Sequence, residues 1–222
     1  MDNDSTGKTF HTSAEFAYDI ISTKILSGEF EAGMRLSRRK MAELTGVSVI
    51  PVIEALKKLE EDNLVESKPH WGSFVTVPTM EKVVEAYQFR EAIECQCARI
   101  VSQNITEEQY QALSEIAVVL DNTQYTPETV AMLNEKHFKF HSLLAAYTNN
   151  ALLIDALRKI NLFWILCNAL RETRPRIPSP RYWHMQLLDV IAKDGADSAE
   201  NIMRIHIRDS FDPILERAKN TI

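Results

Sequence analysis

Four histidines in the C-terminal part of the chain have the residue type and spacing to bind a metal ion. His137 and His141 are four residues apart, so on a helix they lie on one face, about 6 Å apart along the axis. That face is apolar, and His184 and His206 also fall on inward-facing helical positions. A single histidine in such a place is ordinarily a hydrogen-bonded core residue. Four imidazoles clustered in a dry helical bundle need partners, and a divalent metal ion would be one.

The chemistry of these side chains limits the choice of metal. Neutral imidazoles favour Zn²⁺, Ni²⁺, Co²⁺ or Cu²⁺ over Mg²⁺ and Ca²⁺, which prefer oxygen ligands. Because imidazole carries no charge, the bound ion would keep its full positive charge and attract an anionic ligand strongly. We therefore predict a divalent transition metal as cofactor, zinc or nickel above all, and weaker binding as the pH falls through the histidine range.

Arg90 is a second candidate for a functional role, because it falls on the inward face of its helix and needs an anion there. Glu94 lies four residues further on and could supply that anion in an ordinary i, i+4 ion pair. Alternatively, the guanidinium binds the carboxylate of a small effector. The sequence leaves both interpretations open.

A metal-dependent hydrolase is the rival to a binding role for these histidines. A zincin requires His-Glu-x-x-His, in which the glutamate activates a metal-bound water. The residues between His137 and His141 are Phe138, Lys139 and Phe140, so that base is missing. The sequence also has no glycine-rich phosphate loop and no catalytic Ser-His-Asp or Cys-His pattern. We therefore predict that the protein is not an enzyme.

The elements that must position the histidines all follow Pro78, where the pattern becomes helical throughout. Caps and apolar periodicity predict six helices, with no strand pattern after Val77. Their predicted starts are Thr79, Thr106, Thr126, Asn150, Ser179 and Asp197. The fourth helix extends to Arg171 and is broadly apolar. We predict an all-α antiparallel bundle over residues 79–222.

Residues 36–56 have the pattern of two short helices that meet at a glycine. Met41 and Leu44 lie three apart and predict one buried face, and Gly46 can take the left-handed conformation that ends a helix. Ser48 then begins the second helix. Two helices joined in this way form a helix-turn-helix, whose second helix enters the DNA major groove.

Two short strands are predicted directly after the helix-turn-helix. Residues 64–67 and 73–77 are rich in β-formers and flank a turn that contains Gly72. A hairpin in this position is a wing, and Gly72 would let the backbone approach a phosphate or the minor-groove edge. Together with a first helix capped by Thr12, these elements predict a winged helix-turn-helix over residues 12–78.

The charge of the chain does not by itself indicate nucleic-acid binding. The net charge is −6, and residues 12–78 contain 8 lysines and arginines against 10 acidic residues. Locally, however, Arg35, Arg38, Arg39 and Lys40 fall within six positions, and only cations near phosphates release counterions. No window suggests a membrane span, residues 1–11 suggest a disordered tail, and three cysteines are too few for a disulfide framework. We expect a cytoplasmic protein.

Several motifs in residues 12–78 resemble the winged module of GntR-family transcription regulators. They are Gly28-Glu-Phe-x-x-Gly33-x-Arg35-Leu36-Ser37, Gly46-Val-Ser48, Pro51-Val-x-Glu54-Ala-Leu56 and Gly72-x-Phe-Val75. The helical remainder is similar to the FCD-type effector domain of the FadR-like branch. The resemblance implies a homodimeric, bacterial-type DNA-binding regulator whose residues 79–222 bind an effector and dimerise. Ligand binding would then shift the placement of the two DNA-binding heads.

The same resemblance implies a specific set of metal ligands. Metal-binding members of the branch use Asp-x-x-x-His on one helix and one histidine from each of the last two helices. His141, His184 and His206 match that pattern, while His137 stands where the family has aspartate. Members bind small carboxylic acids, sometimes through the metal, and the region of Arg90 lines their effector pocket.

For DNA contact the resemblance implies both agreement and departure. Arg39 and Gly72 match family contact positions, but Val49 and Ile53 replace two arginines of the recognition helix. The resulting apolar surface suits thymine methyl groups, so we predict an A·T-leaning operator and a shallow salt dependence. Weakened DNA binding, with the surface meeting a protein instead, is the alternative. The predicted DNA-binding residues are Arg35, Arg38, Arg39, Lys40, Ser48, Val49, Ile50, Ile53 and Gly72.

Overall fold

The computed structural model describes residues 12–169 and 183–219 of the chain. By their contacts these residues form two compact units. One contains the residues up to Pro78 and a segment that starts at Leu162; the other begins at Thr79 and contains the rest of the helical region. Among the described residues, strands occur only before Pro78. The expected fold class, a winged helix-turn-helix followed by an all-helical region, is confirmed.

The first unit is built from short helices and a small sheet. Its elements are α1 (Ser13–Leu26), β1 (Arg35–Leu36), α2 (Arg38–Thr45), α3 (Val49–Glu61), β2 (Val65–Lys68) and β3 (Gly72–Val75). The N–H of Glu15 donates to Oγ1 of Thr12 and the N–H of Thr12 donates to the Glu15 carboxylate, which forms the predicted capping box of α1. Gly46 ends α2 with a φ of 72°. The predicted helix-turn-helix is therefore present as α2 and α3.

The three strands form an antiparallel sheet in the order β1-β3-β2. Lys68 pairs with Gly72 at the tip of the β2–β3 hairpin, and this hairpin is the predicted wing. Arg35 pairs with Phe74, which adds β1 to the sheet. Strand β1 was not predicted, because two residues are too few to produce an alternating pattern.

The buried face of α2 differs from the prediction. Met41 is buried, but Leu44 is exposed, and Thr45 takes the inward position instead. Four residues return closer to the same helix face than three do, which aligns Thr45 with Met41. The Thr45 hydroxyl donates to the carbonyl of Met41, so its burial leaves no polar group unsatisfied.

The helical region contains six helices within the described residues, as predicted. They are α4 (Met80–Val101), α5 (Glu107–Asn122), α6 (Val130–Ala146), α7 (Ala151–Ala169), α8 (Trp183–Lys193) and α9 (Ala196–Lys219). Thr79 and Thr106 accept hydrogen bonds as side-chain caps, and Asn150 accepts the N–H of Leu152 at the start of α7. The predicted end of α7 at Arg171 and the predicted start of α8 at Ser179 lie outside the described residues.

Helix packing in the second unit places α6, α8 and α9 around one interior. Helix α4 packs along α9, α5 packs against α6 and α8, and α8 packs against α9. Buried side chains from these helices fill the space between them, including Leu133, Phe140, Leu144, Leu187, Leu188, Met203 and Ile207. None of the described helices combines the length and apolar character that crossing a bilayer would require.

Candidate metal centre and DNA-binding surface

The four histidines singled out from the sequence converge in the interior of the second unit. His137 and His141 lie on α6, His184 near the start of α8 and His206 on α9. All four side chains are buried. Each offers one ring nitrogen to the cluster, and these nitrogens all lie within 4.8 Å of one another. The structure thus brings the four predicted residues together from three helices.

The distance between the two histidines of α6 fits metal ligation. Nε2 of His137 lies 3.3 Å from Nε2 of His141, as the four-residue spacing on one helix allows. Two nitrogens bound at about 2.0–2.1 Å to a tetrahedral zinc ion would be separated by about 3.3–3.4 Å. The rings of His184 and His206 also lie close to each other, with their centroids 4.9 Å apart. A small adjustment of side chains would bring all four nitrogens around one ion.

His184 is oriented by an aspartate that the sequence analysis did not identify. Oδ1 of Asp121, on α5, lies 2.8 Å from Nδ1 of His184 and accepts the backbone N–H of the same residue. Oδ2 of Asp121 accepts the N–H of Met185, so one carboxylate caps α8 and fixes the imidazole. Burial acts to raise the pKa of Asp121, but the hydrogen bonds from His184 and the two N–H groups outweigh it, and the pKa is lowered.

This arrangement leaves the other nitrogen of His184 directed into the cluster. With Nδ1 held by Asp121, the ring turns Nε2 inward, and Nε2 is buried with no hydrogen-bond partner among the described residues. A buried polar atom without a partner costs free energy, which an ion at the cluster would offset. The residues present therefore fit a bound metal ion.

A second carboxylate lies behind His141. Oε2 of Glu94, on α4, contacts Nδ1 of His141, while the other carboxylate oxygen accepts Nε–H of Arg90. Burial acts to raise the pKa of Glu94, but the charges and hydrogen bonds of Arg90 and His141 together outweigh burial, and the pKa falls to about 2. Burial also lowers the pKa of His141, more than the carboxylate raises it. A neutral imidazole whose Nδ1–H donates a hydrogen bond to the Glu94 carboxylate would present Nε2 to an ion.

These contacts supply an anion for Arg90 and change the electrostatics expected for the site. Of the two interpretations of Arg90, the i, i+4 pair with Glu94 is present and is almost fully buried. The ligand set itself is neutral, as predicted. Two carboxylates, from Glu94 and Asp121, nevertheless lie directly behind it, and Arg90 balances only one. A bound ion would therefore attract anions less strongly than the sequence alone suggested.

The predicted DNA-binding residues lie on the winged unit. Arg35 is in β1, Arg38, Arg39 and Lys40 form the first turn of α2, Ser48 precedes α3, and Gly72 begins β3. Val49, Ile50 and Ile53 are exposed on α3 by 43%, 71% and 40%, which is unusual for β-branched side chains. Arg39 is 88% exposed and makes only a surface pair with Glu43 among the contacts described. The apolar surface inferred from the sequence is therefore present.

Two family models match the chain. The model described as "FCD domain" matches residues 85–209, and the one described as "Bacterial regulatory proteins, gntR family" matches residues 13–75. The histidine cluster falls within the first match and the helix-turn-helix within the second. The chain belongs to the GntR family.

The names of similar proteins agree with the assignment of this chain to the GntR family. The HTH-type transcriptional regulator YdhC of Bacillus subtilis is 26% identical over 194 residues, covering 85% of each chain. The HTH-type transcriptional repressor RspR of Escherichia coli K12 is 26% identical over 199 residues, covering 86% of this chain and 84% of RspR. Both names describe transcription regulators. This chain is accordingly a DNA-binding transcription regulator with an FCD effector domain and not an enzyme.

Solved structures of similar proteins show the same fold. Escherichia coli McbR/YncC superposes with a TM-score of 0.71 at 15% identity, covering 94% of this chain and all of the other (100%). A GntR regulator from Rhodococcus sp. RHA1 superposes with a TM-score of 0.69 at 23% identity, covering 91% and 97%. At such identities the comparison concerns the fold alone.

Proposed function

We propose that this GntR regulator binds operator DNA through residues 12–78 and adjusts that binding with a metal-dependent effector site in residues 79–222. The observation that carries the proposal is the cluster of four buried histidines whose ligating nitrogens lie within 4.8 Å of one another. Such a cluster costs free energy unless something binds it. We place the regulator in the cytoplasm, where its operator would be.

His137, His141, His184 and His206 would hold the ion. Neutral nitrogen ligands favour a divalent transition metal, and zinc or nickel fits best. When bound, the ion supplies a Lewis-acid centre for an anionic group. The chain's own contribution is orientation: Asp121 fixes the ring of His184, and Glu94 fixes that of His141. These carboxylates also favour the tautomers that direct Nε2 into the cluster.

The effector that we propose is a small carboxylate. Arg90 is buried and is linked to the histidine cluster through Glu94, whose carboxylate contacts both Arg90 and His141. Its Nε–H is committed to Glu94, so an effector contact would use the Nη amino groups. A carboxylate bound at these groups would compete with Glu94 for the positive charge of Arg90 and so affect His141.

For operator binding we propose reading by α3 with apolar contacts. Val49, Ile50 and Ile53 would lie against thymine methyl groups, while Arg39 and the cations beside it contact the backbone. A surface of this kind predicts an A·T-leaning operator. It also predicts a shallow salt dependence, because two phosphate or base contacts by arginine are missing.

We propose that the regulator is a homodimer. One recognition helix reads only a few base pairs, and helix-turn-helix proteins gain specificity from two half-sites about one helical turn apart. Sedimentation of the full chain with and without DNA tests the oligomeric state. A monomer at micromolar concentration under both conditions would refute it.

The metal proposal is tested by elemental analysis of the full-length protein after mild purification. We expect close to one transition-metal ion per chain, lost in His141→Ala and His206→Ala. His70→Asn is the matched control: His70 is an exposed histidine on the wing with a φ of 63°, a conformation that asparagine tolerates. A metal-free protein whose thermal midpoint is unchanged by added Zn²⁺ or Ni²⁺ would make these histidines ordinary core residues.

The DNA proposal is tested by selecting fragments of the organism's own genome on the full-length protein. We expect Arg39→Ala to weaken binding to every selected fragment, because it removes a cation beside the recognition helix. Arg158→Ala, which removes an exposed arginine of α7, is the control and should bind normally. If Arg39→Ala bound every fragment unchanged, the proposed role of this surface would be wrong.

A second candidate function rests on the same exposed side chains. The apolar surface of α3 could meet a protein instead of DNA, since exposed apolar patches often mark protein interfaces. In that case genomic selection would enrich no sequence. Replacing Ile50, the most exposed of the three, with serine would then abolish capture of a defined protein partner.

A further inference from the structure

The tip of the wing presents a large aromatic side chain to solvent. Trp71 is 72% exposed, the most exposed aromatic side chain among the described residues. Tryptophan is usually well buried because its ring carries a large apolar area. Nothing in the sequence motifs that mark the helix-turn-helix requires an aromatic residue here. The exposure leaves a large apolar ring available to a partner outside the chain.

The hairpin holds Trp71 in a fixed place. The N–H of Trp71 donates to the carbonyl of Lys68 at 3.0 Å, which closes a four-residue turn. Pro69 fixes φ at the second position, and His70 has a φ of 63° at the third, the pattern of a type II turn. Gly72, with a φ of 96°, then begins β3. Trp71 thus stands at the end of a turn with little conformational freedom to lose on binding.

Cationic side chains lie on the strands next to this tryptophan. Lys68 is exposed on β2, with Nζ 5.2 Å from the centroid of the Phe74 ring. The guanidinium of Arg35 crosses over Gly72, where a Cβ would lie 3.7 Å from its Nε. The wing tip therefore carries an apolar ring and has two cations on the neighbouring residues of the hairpin and β1. The DNA minor groove has phosphates along both walls and base steps between which apolar side chains can insert, so it is complementary to that combination.

We propose that Trp71 is a wedge that enters the DNA minor groove beside the site read by α3 and bends the operator. Apolar side chains of minor-groove proteins insert partly between base steps, unstack them and kink the duplex. Pyrimidine–purine steps such as TA yield most easily, so the wedge adds sequence preference without a base-edge hydrogen bond. The inference rests on the proposed DNA-binding function and assigns the wing its part in specificity. The neighbouring cations favour DNA over a protein partner.

The experiment uses the full-length protein and a duplex of the sequence that it selects most strongly from its genome. Dyes on the two duplex ends report bending by energy transfer, and a titration reports affinity. We expect Trp71→Ala to weaken binding about tenfold, in the range of one lost base–aromatic contact, and to straighten the duplex. Trp71→Phe should retain most of the bend. Phe16→Ala is the matched control, since Phe16 is an aromatic residue 50% exposed on α1.

Tryptophan fluorescence gives an independent measurement. DNA should shift and quench the emission of the unsubstituted protein, and the change should be absent in Trp71→Phe even though that variant still bends the duplex. Because Trp71 is exposed, its replacement should leave the unfolding midpoint unchanged.

The possible results distinguish a failure of the wedge proposal from a failure of the DNA-binding proposal. If Trp71→Ala binds and bends the duplex like the unsubstituted protein, the wedge is wrong and the DNA-binding proposal stands. Weaker binding with an unchanged bend also overturns the wedge, as does an equal loss in Phe16→Ala. If the unsubstituted protein selects no DNA, both proposals fail.

Discussion

Nδ1 of His184 and Oδ1 of Asp121 lie 2.8 Å apart, where the same carboxylate also accepts the N–H groups that begin α8. The side chain of Asp121 thus caps the start of α8 and also selects the nitrogen that His184 presents to the cluster. The position of a candidate metal ligand is therefore coupled to the fold of α8. Removing the charge of Asp121 should affect both.

We expect Asp121→Asn to weaken metal binding about 10–100-fold, because groups that orient a ligating histidine commonly contribute that much. Competition against a chelator of known affinity measures it. Asp189→Asn is the control: Asp189 lies on α8 too, but its partners are Tyr110 and Lys193. Equal affinity in Asp121→Asn and the unsubstituted protein would show that the contact only caps the helix.

Removing one partner of the buried pair of Arg90 and Glu94 should destabilise the protein strongly, whereas replacing both with apolar residues should destabilise it little. We expect Glu94→Leu to lower the free energy of unfolding by about 3–5 kcal/mol, since it leaves a buried guanidinium without its anion. The double change Arg90→Met/Glu94→Leu should recover most of that loss. Urea unfolding of the metal-free protein measures both.

The surface pair of Arg39 and Glu43 has the same i, i+4 spacing and serves as the control. Glu43→Leu should leave the urea midpoint almost unchanged, because exposed pairs are screened by solvent. A Glu94→Leu variant as stable as Glu43→Leu would contradict the importance assigned to burial.

Acid should destabilise the metal-free protein from about neutral pH downward. Burial keeps the pKa of His141 below its usual 6.5 in the folded chain, so below pH 6.5 the unfolded chain binds the proton first. Stability is then complete above pH 6.5 and is lost as the pH falls. Glu94, whose pKa falls from 4.5 to about 2, adds a second loss only below pH 4.5.

Urea unfolding in the presence of a chelator at pH 7.5, 6 and 5 measures this dependence. Each proton taken up only by the unfolded chain contributes a slope of up to about 1.4 kcal/mol per pH unit. His141→Gln should flatten the profile between pH 6.5 and 5, and His70→Asn should not. A midpoint that rises on acidification would be incompatible with a buried neutral His141.

An arginine introduced into the recognition helix should change how salt affects DNA binding. Ile53→Arg adds a cation on the exposed face of α3, and one new phosphate contact steepens the slope of log affinity against log salt by about 0.9. Titrations of a selected duplex at several salt concentrations measure that slope. Val130→Arg, at an exposed apolar position of α6, should leave it unchanged. Equal slopes in both variants would place α3 away from the DNA.

The sequence by itself determined the elements and the candidate ligands, because both depend on short-range patterns. Capping residues such as Thr12 and Thr106 predicted helix starts, and Gly46 predicted the turn of the helix-turn-helix. The inward positions of His137 and His141 followed from helical periodicity, which is a property of neighbouring residues. Where two positions competed for one face, as Leu44 and Thr45 do, spacing alone chose wrongly.

Only the tertiary structure decided what lies behind the histidines. Asp121 is 63 residues from His184 in the chain, and no local pattern connects the end of α5 with the start of α8. Likewise, α4 must pack against α6 before Glu94, which pairs with Arg90 on its own helix, can also contact His141. Such pairings depend on how helices far apart in sequence bury their faces together. The sequence could therefore name the imidazoles, but the carboxylates that orient them emerged from packing.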